Sequence, residues 1–372
     1  MATAGLAWCL FFTGTPAAEP AAGADLSFLP RMRQLGVEYR FDGRPVDPLA
    51  ILRAHGYRIV RLRLWHTPTE PWQGLDSTLI FAREVTALGF DLLLDLHYSD
   101  TWADPGHQAK PAAWEGLIFP VLVDSIYAYT QRVVRRFDDA GALPRYLQIG
   151  NEIDSGFLWD DGRVGWPGSV WDNPAQWRQL TGLLRAAIAG ARDSLPPERR
   201  PQILVHLAQG GNNGHCRWFF DHLPAGGIDV DAIAVSFYPW WHGTLPELTH
   251  NLHDLASRYA RPLWVVETAY PWTLEGSAGA GNFVVSADQL HPGYPASPEG
   301  QLRFLRDLRG VLRSLPDGLG GGVLVWEPAF LAVEGGPPNP HENLTLFDFD
   351  GRALPGLGFA EAPDSSRGVP AW

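Results

Sequence analysis

The chain has 372 residues, of which 45% are hydrophobic, enough for a large core, and a formal charge of -12. That charge argues against nucleic acid or an anionic membrane as a partner and is compatible with a neutral ligand. Two cysteines, Cys9 and Cys216, build neither a disulfide framework nor a cysteine metal site, and no run is long and apolar enough to span a bilayer.

Residues 1 to about 22 read as part of an export leader, which would make the protein secreted or periplasmic. Leu6 to Phe12 is apolar, and small residues follow at Ala17-Ala18 and Ala21-Ala22. No Lys or Arg precedes the apolar run, and the alternative is a disordered N-terminus. From residue 23 on, short apolar runs alternate with amphipathic segments. Strands are expected at 23–27, 59–65, 92–97, 146–152, 202–207, 232–237, 263–267 and 323–326. Helices are expected at 47–55, 77–88, 117–139, 174–193, 217–222, 245–259 and 298–315, with Asn173 as a cap before the fourth. Strands separated by helices pair in parallel through right-handed crossovers. Eight such units predict a single (β/α)8 TIM barrel over 23–357, with a flexible tail at 358–372. A doubly wound open sheet is the alternative, but no Gly-rich phosphate turn follows the first strand.

In such a barrel, chemistry collects at the C-terminal ends of the strands. Arg61, Arg63 and Trp65 share one face of the second strand by two-residue alternation. The third strand ends in His97, followed by Tyr98-Ser99-Asp100, and the fourth in Asn151-Glu152. The sixth leads into Tyr238, then Pro239-Trp240-Trp241-His242, the seventh into Glu267, and the eighth into Trp326-Glu327. Strands four and seven lie across a barrel from each other. Two carboxylates aimed into one narrow mouth point to glycoside hydrolysis, and a separation of about 5–5.5 Å would make it retaining. One must stay neutral to protonate the leaving oxygen, the other ionised to attack the anomeric carbon; a nearby Arg would hold the second charged. Arg61 is read equally as a buried salt-bridge partner, His97 as a satisfied core histidine, and Trp102, Trp114, Trp240, Trp241, Trp272 and Trp326 as packing. Glu327, before Pro328, is read as structural. The sixteen Trp also suit a groove whose flat faces stack on sugar rings.

The stretch Leu94-Asp95-Leu96-His97-Tyr98-Ser99-Asp100-Thr101-Trp102-Ala103-Asp104-Pro105-Gly106, continued by Gln108 and by Lys110 to Trp114, resembles the signature of glycoside hydrolase family 53, the endo-β-1,4-galactanases. Further blocks agree: Val60 to Trp65, Gly150 to Ile153, Phe237 to Leu245, Val266 to Pro271, and Trp326 to Ala329. The likeness runs from about residue 23 to 357. It implies retaining cleavage of β-1,4-galactan, the side chain of type I arabinogalactan, with Glu152 as acid/base and Glu267 as nucleophile. It also implies Asn151 on the sugar 2-hydroxyl and Tyr238 beside the nucleophile. Arg61, Arg63, His97, Asp100, Trp102, Trp241, His242 and Trp326 complete the expected substrate-binding set. Some bacterial members carry a calcium loop after strand seven. Here 274–282 offers one Glu and one Asn among small residues, short of the six to eight oxygens calcium takes, so no metal or other cofactor is expected. The expected partner is the polysaccharide alone, with neither nucleic acid nor membrane, and the protein is read as a monomer. A non-catalytic sugar-binding barrel and a sibling retaining mannanase or xylanase remain alternatives.

Overall fold

The computed structural model describes residues 19–165, 171–276 and 281–361. Eight parallel strands close on themselves: β1 (Ala21–Asp25), β2 (Ile59–Leu64), β3 (Asp91–Leu96), β4 (Tyr146–Ile149), β5 (Gln202–Leu207), β6 (Ala232–Phe237), β7 (Leu263–Thr268) and β8 (Gly320–Val325). Each pairs with its neighbours in sequence, and β1 pairs with both β8 and β2. The helices between them include α1 (Pro48–Ala54), α2 (Leu75–Ala87), α3 (Phe119–Asp139), α4 (Pro174–Arg192), α5 (Asn213–Ala225), α6 (Leu245–Tyr259) and α7 (Pro298–Arg313). This is the predicted (β/α)8 barrel.

Local chemistry explains most of the boundaries. Asp47 and Asn173 cap α1 and α4 by accepting from Leu49 and Ala175 N–H, and Thr244 forms a reciprocal capping box with Glu247 at α6. Of the boundaries that differ from the sequence reading, three bear on the packing. Strand β1 begins at Ala21, not residue 23, so two of the small residues read as leader are barrel core. Helix α5 begins four residues early, because Asn212 caps it through His215 N–H although Asn213-Gly214 reads as a turn. At the other end, 358–361 belongs to the barrel. A 3-10 turn, Pro355–Ala360, packs on α7, and buried Arg309 ties its carbonyls (Phe359, Ala360, Glu361) to that of Pro20. Residues 1–18 and 362–372, with the rest of the leader and tail readings and Cys9, lie outside the described residues.

Inside the barrel two layers differ in chemistry. The lower layer is apolar: Ile59, Leu93, Tyr146, Leu204, Ala234, Trp264 and Leu324 pack together. Gly23 and Gly322 keep it closed, since a Cβ on Gly23 would sit 2.8 Å from Ile59 O and one on Gly322 2.8 Å from the Trp264 ring. Two residues further along each strand the layer above is polar: Arg61, Asp95, Gln148, His206 and Ser236, all buried. Strand β7 reaches the same layer by a different route. Val235 pairs with Val265 but Ser236 with Glu267, so Val266 is an extra residue. Val266 packs in the lower layer with Trp264, and the bulge turns Glu267 inward where plain alternation would turn it out.

Candidate active site

The polar layer is organised around Arg61. Its guanidinium has five N–H donors, and each has an acceptor. Nε donates to Gln148 Oε1 (3.2 Å), Nη1 to Asp25 (2.7 Å) and Glu267 Oε1 (2.8 Å), and Nη2 to Asp95 (2.7 Å) and Asn151 Oδ1 (2.8 Å). Burial of so many charges is tolerable only because the pairing is complete. Burial works to raise Asp25, but Arg61, Arg63 and the Ser27 hydroxyl outweigh it and hold that carboxyl below its ordinary range. Arg61 is therefore both the buried ion-pair partner and the cation beside one glutamate.

Glu267 is buried, bonded to Arg61 and approached by the Tyr238 hydroxyl at 3.3 Å. Burial pushes it up to about 7, against the pull of Arg61. Glu152 is partly exposed, and among the described residues no cation stands beside it. Ser236 Oγ donates to its Oε1 at 2.6 Å. Desolvation by the cleft walls, then the charge of Glu267, raises it well above a free carboxyl, with Ser236 opposing. The two titrate as a pair, and the proton they share near neutral pH belongs to Glu152, because Arg61 favours the charged form of Glu267. Reaching this position strains the chain. Gly150 has φ +78°, where a Cβ would lie 2.6 Å from Ile153 Cγ2, and Glu152 itself sits in the left-handed region at φ +48°.

Both carboxylates open into a cleft of about 530 Å³ at the C-terminal ends of the strands, the size of a ligand site. One wall is Phe28, Trp102, Trp326 and Phe330; the other is Tyr238, Trp240, Trp241 and Phe283. Trp102 and Trp241 are 39% and 56% exposed, so both offer bare ring faces. The guanidinium of Arg63 lies 4.3 Å from the Trp102 ring centroid and 4.9 Å from that of Phe28. Glu327, buried at φ +42°, receives Phe28 N–H on both oxygens and faces Arg63 at 3.5 Å. It is structural, as its place before Pro328 suggested.

Eleven of the twelve predicted site residues line this cleft: Arg61, Arg63, His97, Trp102, Asn151, Glu152, Tyr238, Trp241, His242, Glu267 and Trp326. Asp100 is the exception. It does not line the cleft; its carboxylate receives Thr67 N–H (2.7 Å) and Ala112 N–H (2.8 Å), tying two loops together. His97 lines the cleft with both ring nitrogens already used. Nδ1 accepts from Trp65 Nε1–H and Ala103 N–H (3.2 Å each), which leaves its proton on Nε2 for Asp95 at 3.0 Å. Asn151 donates to Ala103 O at 2.8 Å while its oxygen faces Arg61. Trp114 packs with His66, Tyr98 and Tyr129, and Trp272 with Phe349, both away from the cleft. The reading of the sequence missed the supporting groups Gln148, His206 and Ser236. Their signal was present: single polar residues in strands that are otherwise apolar. Among the described residues no cluster of three or more His, Cys, Asp or Glu could hold a metal ion; residues 277–280 of the 274–282 loop lie outside them.

The model of glycosyl hydrolase family 53 matches residues 21–360. The chain belongs to that family. Within the family's reach, an arabinogalactan endo-beta-1,4-galactanase of Cellvibrio japonicus (strain Ueda107) is 34% identical over 351 residues, covering 91% of this chain and 90% of that protein. An uncharacterized protein of Niallia circulans is 43% identical over 337 residues, covering 89% and 91%. The solved Ignisphaera aggregans GH53 catalytic domain superposes with a TM-score of 0.85 at 38% identity, covering 94% of this chain and 97% of that one.

Proposed function

We propose that this family 53 enzyme hydrolyses internal β-1,4-galactosidic bonds of galactan with retention, using Glu267 as nucleophile and Glu152 as acid/base. The observation that carries the assignment of roles is the contrast between the two carboxylates. Glu267 faces the Arg61 cation at 2.8 Å, and Glu152 faces none among the described residues. In the first step Glu152 gives its proton to the departing glycosidic oxygen while Glu267 bonds to the anomeric carbon. In the second, Glu152 takes a proton from the water that releases the sugar. Arg61, Asn151 and Tyr238 orient these groups, and the aromatic walls receive the rings on either side.

No step requires a metal, and calcium at 274–282 is not part of the proposal; melting and turnover unchanged by EDTA would agree, and recovery by added calcium would refute it. All the named groups reside in one chain, so a monomer is the proposed working unit. An extracellular or periplasmic site of action is proposed because an intact polymer does not cross a membrane. The deciding experiment is product analysis on galactan beside mannan and xylan, with proton NMR of the first anomer formed. Oligomers from galactan, released as the β-anomer, are expected. Preference for mannan or xylan, tight binding without new reducing ends, or an initial α-anomer would each overturn it.

A further inference from the structure

A hydrogen-bonded chain runs behind Glu152, away from the cleft. Glu152 Oε1 is 2.6 Å from Ser236 Oγ on β6, which is 2.9 Å from His206 Nε2 on β5. Its direction is decided at the far end. The backbone N–H of Glu152 points at His206 Nδ1 over 3.4 Å, and a backbone N–H can only donate. Gln148 Nε2 is 3.1 Å from the same nitrogen, but its two protons have Asp95 Oδ1 (2.7 Å) and Gly150 O (3.0 Å) as acceptors. Asn151 Oδ1 lies 3.0 Å away, but that oxygen already accepts from Arg61 (2.8 Å) and is 3.2 Å from Gln148 Nε2. A proton on Nδ1 would face the Glu152 N–H. The ring proton therefore sits on Nε2 and is donated to Ser236 Oγ. The serine's own proton then has one acceptor, Glu152 Oε1. The other oxygen of Glu152, Oε2, has no protein partner among the described residues and belongs to a side chain that lines the cleft.

We propose that His206 and Ser236 are positioning residues that keep the ionisable proton of Glu152 on Oε2, the oxygen presented to the glycosidic bond. This rests on Glu152 being the acid/base. In the first half-reaction the Oε2 proton passes to the leaving oxygen, and the carboxylate left behind still receives Ser236. In the second, Oε2 takes a proton from the attacking water. Nothing moves along the chain; it is a fixed donor series that serves both charge states of Glu152. Glu267, Asp154 and Asp104 also face Glu152, and each favours its protonated form. Burial, then Arg61, His97 and His242, keep His206 from taking a second proton, so its one proton has one place.

The test is nitrogen-15 NMR of histidine-labelled enzyme, with His206→Gln assigning the signal. Nε2–H is expected on both sides of the Glu152 titration; Nδ1–H on either side overturns the proposal. Kinetics of Ser236→Ala form the second arm. Galactan turnover should fall roughly ten-fold, a fraction of the 10² to 10⁴ that acid–base help supplies. The first turnover of a dinitrophenyl β-galactoside, whose leaving group needs no proton, should fall far less. The alkaline limb of kcat/KM should move to higher pH, because the ionised carboxylate loses its donor, and Ser236→Thr should restore it. Equal losses on both substrates, or an unmoved limb, would overturn the proposal. Full galactan turnover by Glu152→Gln would instead remove the acid/base reading itself, whatever tautomer His206 shows.

Discussion

Glu152 and Glu267 are the same residue type, stand at the ends of opposing strands and are both pushed toward neutrality by low-dielectric walls. They differ in what stands behind them. Glu267 is backed by a cation whose remaining donors go to Asp25, Asp95, Asn151 and Gln148. Glu152 is backed by a neutral series, Ser236 and His206. A charged partner commits a carboxylate to stay ionised and nucleophilic; a neutral donor leaves it free to gain and lose a proton. The proposed roles thus rest on the neighbouring strands β2, β5 and β6 rather than on the glutamates.

The sharpest way to break this contrast is to remove each carboxylate and supply azide. Glu267→Ala should lower galactan turnover on the order of 10⁴ to 10⁶ and, with azide and an activated galactoside, yield the α-galactosyl azide. Glu152→Ala should lose about 10² to 10⁴ and yield the β-azide. Exchanged stereochemistry would reverse the roles. Next in size, Arg61→Met leaves Asp25, Asp95 and Glu267 without their cation. A loss of about 3–5 kcal/mol in urea unfolding is expected, and the acid limb of kcat/KM should move to higher pH, since Glu267 loses the charge that favours its ionised form. An unchanged limb would detach Arg61 from the nucleophile.

A smaller effect tests the neutral side. The folded-state pKa of Glu152 lies above its unfolded value, so the folded protein binds a proton that the unfolded chain has lost. Stability from this group is present below the unfolded pKa, about 4.3, and is lost as pH rises toward the folded value. Glu152→Gln should therefore melt higher than the unaltered enzyme at pH 8, with the gain vanishing near pH 4. A gain that is the same at both pH values would contradict the raised pKa. Smallest of all, Trp241→Ala should raise KM about five-fold, for ~1 kcal/mol of ring contact. Asp100→Ala should leave KM alone and cost about 1 kcal/mol of stability, as befits a loop tie. A KM effect at Asp100 would return it to the substrate-binding set.

Particular elements show how far the chain could be read unaided. Strands β5 and β6 stand where their apolar runs predict them, and α6 follows its capping residues and 3.6-residue stripe. Helix α5 was foreshortened because Asn213-Gly214 carries turn chemistry that a cap at Asn212 overrides. Asp100 falls outside the cleft lining; a polar residue just past a strand end looks alike in sequence whether it ties loops or meets substrate. Phe28, Phe283 and Phe330 entered the cleft unannounced, since loop residues follow no periodicity.

By itself, the sequence determined the barrel and singled out the two carboxylates proposed as the acids, because hydrophobic alternation and strand ends are local properties of the chain. Only the tertiary structure decided what stands behind each of them. The bulge at Val266 that turns Glu267 inward, the five-way pairing of Arg61 and the donor series behind Glu152 join residues from separate strands. Those contacts exist only once the sheet has closed, and a carboxyl group's proton affinity answers to charges and donors in space, not to its neighbours along the chain.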